Sequence, residues 1–455
     1  MSRRLIAACL LLPLTCLAQA AAPPASDPRL DAIGTAPSAA RIQADVRTLV
    51  SFGTRHTLSE TASETRGIGA ARRWVHAQFQ QISRDCGGCL EVRYVSDTIA
   101  GEKRIPYATE VVNVVAIQRG SSDPDRYVMM SGDIDSRVSD VMNATADAPG
   151  ANDNASGLAG TLEAARVLSK YKFPASIAYV ALSAEEQGLF GGRIVAEQAK
   201  KQGWRIEALL NNDMIGNTSG IDGVSDNHTA RVFSEGTRAT ETEAEARARR
   251  FTGGELDSPS RNLARYIARM AEHVPNLEVM MVYRLDRFGR GGHHSPFNDA
   301  GFPAVRIMET HEHYDRQHQD LRTENGRVYG DTLDGVDFAY AARLTALNAV
   351  TLAGLAWAPP PPAQVRIDGA VSADTTLSWT RPPATQAPEL AGYRLYWRLT
   401  TEPQWTHSRY VGDVTSHTLK NMVIDNHYFG VAAVARDGSE SPVVFPGAAG
   451  SFGGY

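Results

Sequence analysis

Pro149-Gly150-Ala151-Asn152-Asp153-Asn154-Ala155-Ser156-Gly157 is the segment around which the rest of the chain is arranged. It lies downstream of the apolar run Tyr127-Val128-Met129-Met130 and leads into Leu158, Leu162, Ala165 and Leu168, which recur at helical spacing. A strand-like run, an acidic loop and a helical period, in that order, form the unit from which helix-covered sheets are built. The loop has two chemical readings. Gly150 and Gly157 free the backbone to bend, and Asp153 supplies a hard oxygen for a cation. Equally, Asp, Asn, Ser and Gly are ordinary turn residues, and Asn or Ser ahead of a helix is an ordinary cap.

Outward from this loop the alternation continues. Upstream, helical patterns cover residues 39–50 and 60–82, and strand-like runs cover 90–95, 110–118 and 127–132. Downstream, the helix after the loop reaches residue 171; strands follow at 176–182 and 207–211, with a helix over 187–202 between them. Strands and helices then alternate through 228–233, 258–273, 278–282, 297–300, 304–308 and 333–355. The pattern predicts an α/β domain over residues 39–358, with a mostly parallel central sheet flanked by helices. Segment 237–256 is charged, lacks an apolar period and reads as an insertion loop. Pro359-Pro360-Pro361-Pro362 is a stiff linker and a domain boundary. Beyond it, residues 363–455 change to short alternating strands at 376–380, 392–399, 416–419 and 428–435.

The N-terminus reads as a targeting segment. Ser2-Arg3-Arg4, an apolar run over 5–17 and Ala18-Gln19-Ala20 match a secretory signal peptide of residues 1–20, cut after Ala20. Its apolar run is too short to span a bilayer. The mature protein is then exported, to the periplasm or the extracellular space. Residues 21–38 are rich in Ala, Pro and Ser and read as disordered. The formal net charge of −5 becomes more negative by two once Arg3 and Arg4 are removed. That mild acidity argues against nucleic acid or anionic membrane as a partner, and no later segment reads as apolar enough to span. Cys86 and Cys89, in Asp85-Cys86-Gly87-Gly88-Cys89, are the cysteines the mature chain keeps. A redox motif is one reading and a zinc ribbon another, but a ribbon needs a second pair. In an exported protein a local disulfide is preferred.

Open α/β sheets place their sites beyond the carboxyl ends of the strands. Polar residues at those ends are Asp133, Asp135, Asp153, Glu185, Glu186 and Asp213, followed by His318. Six carboxylates converging on one edge repel unless cations neutralise them, and a metal cluster resolves the conflict.

Four segments in this order carry a family resemblance. They are 149–157, Ser183-Ala184-Glu185-Glu186-Gln187-Gly188-Leu189-Phe190-Gly191-Gly192, Asn212-Asp213-Met214-Ile215-Gly216, and His294-Ser295-Pro296-Phe297 with Gly301-Phe302-Pro303-Ala304. Together they resemble the co-catalytic di-zinc aminopeptidases of clan MH, a group with bacterial leucyl aminopeptidases and, more distantly, glutamate carboxypeptidase and glutaminyl cyclase. The resemblance covers residues 40–355. It implies a zinc exopeptidase-type fold, peptide substrates and two divalent metal ions, zinc first, with manganese or cobalt as alternatives. It also implies that Asp153 bridges the ions, that Asp213 completes one, and that Glu186 and His318 complete the other. Glu185 is then the general base that takes a proton from the attacking water.

The chain departs from the family at two places. The usual Tyr-His-Thr is absent from His311-Glu312-His313-Tyr314-Asp315-Arg316-Gln317-His318-Gln319-Asp320. His318 is preferred as the ligand because a loop follows it, with His313 second; His293 and His294 read as supporting or capping residues. The family also places His-x-Asp after the third strand, whereas Ser131-Gly132-Asp133-Ile134-Asp135-Ser136 puts Asp133 in the histidine's place. Asp133 is carried over as a metal ligand, whose extra negative charge favours a harder metal. Asp135, carried over as the supporting carboxylate of the catalytic site, either bonds a different donor or binds metal itself.

The expected activity is that of a metal-dependent exopeptidase, an aminopeptidase first, because an acidic site suits a free ammonium. A carboxypeptidase would need Arg287, Arg290 or Arg316 for the terminal carboxylate. A cyclase-like transferase and a non-catalytic metal-stabilised binding protein are the further alternatives. In the C-terminal part, Leu377-Ser378-Trp379, Gly392-Tyr393-Arg394-Leu395-Tyr396-Trp397, Leu419 and Tyr428-Phe429-Gly430-Val431 resemble a fibronectin type III module. That resemblance implies a small all-β immunoglobulin-like sandwich with its Trp and Tyr in the core.

Overall fold

The computed structural model describes residues 23, 27–237 and 241–447; the expected signal peptide lies outside the described residues. Eight strands form the central sheet: β1 (Leu90–Ile99), β2 (Thr109–Gln118), β3 (Asp123–Asp133), β4 (Ala175–Leu182), β5 (Arg205–Asn212), β6 (Thr229–Ser234), β7 (Glu278–Val282) and β8 (Ala304–Glu309). Their order is β1-β2-β4-β3-β5-β8-β6-β7. The pairs β3–β4, β3–β5, β5–β8 and β6–β7 run parallel; β1–β2, β2–β4 and β6–β8 run antiparallel. The sheet is thus mixed but mostly parallel, as the alternation predicts. Every residue of β4 is buried, which explains why that strand reads as a continuous apolar run rather than an alternating one.

Nine helices are described: α1 (Arg29–Gly34), α2 (Ala39–Ser51), α3 (Gly67–Asp85), α4 (Ala155–Leu168), α5 (Phe190–Lys201), α6 (Glu243–Thr252), α7 (Pro259–Met270), α8 (His294–Asp299) and α9 (Phe338–Trp357). The two-residue strand period divides the core. Val128 and Met130 of β3 pack with Leu158 and Leu162 of α4 and Leu347 and Val350 of α9. Met129 faces the other way, towards Val195 of α5 and Phe297 of α8. Cys86 and Cys89 are joined in a disulfide just beyond α3.

Four expectations need correction. Part of the segment read as disordered forms α1, whose Leu30 and Ile33 are buried in the core and whose Arg29 lies over the Trp357 ring. Burying those side chains offsets the cost of ordering one short turn. Part of the segment read as an insertion loop is α6, which buries no residue. A capping box between Thr242 and Glu245 and the Arg249–Glu241 ion pair support it, so apolar periodicity could not reveal it. The helix expected over 187–202 begins only at Phe190, because residues 183–189 are spent turning the chain. Finally, α9 is long and apolar enough to cross a membrane by length and composition, contrary to the expectation. It is the central core helix, with 78% of its most apolar window buried.

A short hairpin of β9 (Arg322–Glu324) and β10 (Arg327–Tyr329) precedes α9. After the prolines come β11 (Ala363–Asp368), β12 (Thr375–Thr380), β13 (Leu390–Leu399), β14 (His407–Gly412), β15 (Ser416–Leu419) and β16 (His427–Ala435). They make two small antiparallel sheets, β11-β12-β15 and β14-β13-β16. Leu377, Trp379, Tyr393, Leu395, Phe429 and Val431 form the core that the two sheets share. Strands β11 and β14 were not evident in the sequence; their residues are mostly exposed and lack a buried alternation.

Candidate active site

Each expected site residue lies at the carboxyl end of a central strand or in the loop leaving it. Asp133 ends β3, Asp153 sits in the loop before α4, Glu185 and Glu186 follow β4, Asp213 follows β5, and His318 follows β8. The turns that deliver them use left-handed backbone at non-glycine residues: Ala184 (φ 57°), Leu189 (φ 65°), Met214 (φ 65°) and His318 (φ 55°). Such residues are uncommon and cluster where a site has to be shaped. The turn at Ala184 lets Glu185 and Glu186 reach one cavity, although neighbours in a strand point to opposite faces.

The Asp153 loop is clamped from beneath. Arg55, fully buried, donates to the carbonyls of Pro149 (2.6 Å), Gly150 (2.8 Å) and Ile134 (2.8 Å). Asp331 accepts from the backbone N–H groups of Asn152 (2.9 Å) and Asp153 (2.7 Å). Asn154 caps α4 by accepting from the Gly157 N–H at 3.1 Å.

Asp153, Glu186 and His318 converge. Nε2 of His318 lies 2.8 Å from Asp153 Oδ2 and 2.9 Å from Glu186 Oε1. Their ligand atoms lie within 4.8 Å of one another, the arrangement a single cation requires. One imidazole and two carboxylates are a donor set that suits zinc, so these residues fit a metal ion. Arg137 supports two of the three from behind, with Nε 2.8 Å from Glu186 Oε2 and Nη2 2.6 Å from His318 Nδ1. Gln317 donates to Asp153 Oδ2 at 3.2 Å. His313, the second choice at the sequence level, does not join this group.

Asp133, Asp135 and Asp213 take other partners. Asp133 Oδ1 meets His293 Nδ1 at 2.6 Å, and its Oδ2 accepts from Asn154 Nδ2 at 2.7 Å. Asp135 accepts from the backbone N–H groups of Glu185 (3.2 Å) and Glu186 (3.1 Å) and from the Thr57 hydroxyl (3.2 Å). These donors stand where the family's supporting carboxylate would accept from an imidazole N–H. Asp213 Oδ2 pairs with Arg306 Nη2 at 2.6 Å.

Burial, reinforced by neighbouring carboxylates, pushes Asp133 up to about 8 and Asp135 up to about 7. Burial also raises Asp213 to about 7, although Arg306 opposes it. Glu185 is raised well above the ordinary glutamate range, first by burial and then by the charges of Asp213, Glu186 and Asp133. Crowded, desolvated carboxylates in a cleft are what a cation would stabilise.

A cavity of about 540 Å³ opens over the cluster, with Asp153, Glu185, Glu186, Asp213 and His318 in its wall. Arg104, Arg137, Arg287 and Arg290 line the same cavity. Arg316 does not; it lines a smaller recess beside Asp153.

Sequence reasoning passed over Arg55, Arg137, Arg306 and Asp331. For Arg306 a signal existed, since an arginine in the middle of the apolar run 304–308 has to meet buried acids. Nothing local marks the others.

Residues 113–340 match the family model described as Peptidase family M28. Over 425 residues the chain is 44% identical to a "probable zinc metalloprotease" of Leptosphaeria maculans, covering 93% of this chain and 98% of the relative. A "probable zinc metalloprotease" of Pyrenophora tritici-repentis is 42% identical over 428 residues, covering 93% and 88%. Among solved structures, two of LapA from Legionella pneumophila share the fold. One has a TM-score of 0.54 at 20% identity, covering 72% of this chain and 76% of that one. The other, titled as the LapA aminopeptidase, has a TM-score of 0.51 at 19% identity, with 72% of each chain covered.

Proposed function

The chain belongs to peptidase family M28, and on that premise we propose that it is an exported exopeptidase, specifically an aminopeptidase, with Glu185 as general base. One observation carries the reading: Asp153, Glu186 and His318 surround a cation-sized position, and Glu185 lines the same cavity outside that cluster. A zinc ion held by Asp153, Glu186 and His318 would supply Lewis acidity to a water and to the scissile carbonyl.

The protein's own groups do the rest. Glu185, raised by its surroundings, is a strong enough base to accept the water's proton and return it to the departing amine. Asp135 holds the backbone of both glutamates, which makes it a positioning residue rather than a proton carrier. Arg137 keeps Glu186 and His318 turned towards the same point.

The carboxylates in the cavity wall favour a substrate ammonium, hence an aminopeptidase. A second reading has its own support. Arg287 and Arg290 reach the same cavity, and Arg104 stands exposed at its edge, so a terminal carboxylate could be met there as well. Three versions of one short peptide separate the two: free at both ends, N-acetylated and C-amidated. Release of the first residue from the free and amidated peptides alone is the expected result. Cleavage of the acetylated but not the amidated peptide would make the enzyme a carboxypeptidase, and no cleavage of any would sink the exopeptidase reading.

The pH profile is a further check. A protonated Glu185 cannot accept a proton, so kcat/KM is lost as pH falls through its pKa. Because that pKa is raised, the acid limb is expected above the ordinary glutamate value of 4.5. The limb should vanish from the residual activity of Glu185→Gln, and its survival there would assign it to another group. Export is supported by the signal-like N-terminus and by the Cys86–Cys89 disulfide. The core of Leu377, Trp379, Tyr393 and Phe429 supports a fibronectin type III-like reading of the C-terminal unit.

A further inference from the structure

Asp133 and Asp213 stand outside the three-ligand cluster, each held by a partner that the protein itself supplies. Arg306, paired with Asp213 Oδ2 at 2.6 Å, has no exposed surface. Three further acceptors pin it: Asp286 Oδ2 at 2.9 Å, the Gly291 carbonyl at 2.7 Å and the Asp213 carbonyl at 3.3 Å. A guanidinium does not deprotonate in a protein, and this one, sealed from solvent, has no room to swing away. Asp133 bonds His293 and Asn154; the arginine on Glu186, Arg137, keeps 17% of its side chain exposed and can give way, whereas Arg306 is wholly enclosed. A second divalent ion at Asp213 would meet a fixed positive charge that already neutralises that carboxylate. Their repulsion would act through a buried medium with little screening.

We propose that the centre holds one divalent ion, on Asp153, Glu186 and His318, and that the buried Arg306 guanidinium supplies at Asp213 the positive charge that a second ion would otherwise provide. The proposal rests on the metallopeptidase reading for the nature of the ion, and its grounds are the partners of Asp133 and Asp213. Arg306 then offsets the charge of Asp213 and Asp286 behind Glu185 without taking part in the exchange of ions. It is a positioning residue.

Metal counting tests this without substrate. The full chain is stripped with a chelator, reloaded with excess zinc, desalted and measured by elemental mass spectrometry. In parallel, Co²⁺ is titrated into the stripped chain and followed by its visible absorption. One zinc per chain and saturation at one equivalent of Co²⁺ are expected. His318→Ala should lose that ion and Asp213→Asn should keep it. Two ions per wild-type chain, with one lost in Asp213→Asn, would overturn the proposal, and so would no ion at all. A chain that holds one ion yet cleaves no peptide would sink the exopeptidase reading and leave this one standing. Two ions with active hydrolysis would do the reverse.

Discussion

Replacing Glu185 by glutamine is expected to lower kcat by about 10²–10⁴-fold, the usual worth of a general base, while the bound metal stays unchanged. The substitution keeps the shape and removes only the ability to accept a proton. The residue lies outside the three-ligand cluster, so its loss should not open the metal position. Its backbone N–H still donates to Asp135, so the turn that carries Glu186 should hold. Steady-state kinetics paired with metal content distinguishes the possible roles. A fall in kcat with little change in KM and full metal occupancy marks a group that acts in the transition state. Loss of metal would instead make Glu185 a ligand, and undiminished turnover would make it a bystander.

The second large effect concerns stability and lies far from the cavity. Asp257→Ala is expected to destabilise the joint between the α/β domain and the C-terminal sheets by about 3–5 kcal/mol. Asp257 Oδ1 pairs with Arg265 Nη1 of α7 at 2.9 Å, and its Oδ2 pairs with Arg398 Nη2 of β13 at 2.8 Å. All three side chains are almost wholly buried. Removing the carboxylate leaves two guanidinium groups in a medium that cannot solvate them, and that penalty is what makes half of a buried pair so costly. Arg265 also donates to the Pro403 carbonyl and Trp405 to Asn262, so the two units meet through a hydrogen-bonded surface rather than a loose tether. Thermal and denaturant unfolding would show the wild type melting in one transition and the variant in two. A single, barely shifted transition would mean that the C-terminal unit gains nothing from its neighbour.

The α/β architecture was legible because buried strands and covering helices impose different periods on the same alphabet, and the long apolar runs of β3, β4 and β8 are hard to read otherwise. Three of the elements that sequence reading missed share one property. Helix α6 and strands β11 and β14 bury little, so caps and pairing partners hold them, and hydropathy carries no trace of those. Helix α1 shows the converse: the buried side chains of Leu30 and Ile33 suffice to order a short segment once a neighbour is waiting.

The site divides along the same line. Sequence alone determined which acids stand at strand ends, because that depends on local order: an apolar run, then a turn, then a carboxylate. It also raised the expectation that so many acids on one edge need compensating positive charge. Which of them face a common point was decided by tertiary structure. The loop after His318 favoured it only weakly over His313, five residues earlier; in the fold His318 reaches Asp153 and Glu186, and His313 does not join them. Asp133 and Asp213 stand alike as acids at strand ends in the sequence, but folding brings His293 and Asn154 to the one and Arg306 to the other from segments distant in the chain. A charge's role is set by what neutralises it, and the neutralising group is a neighbour in space, which folding alone assigns.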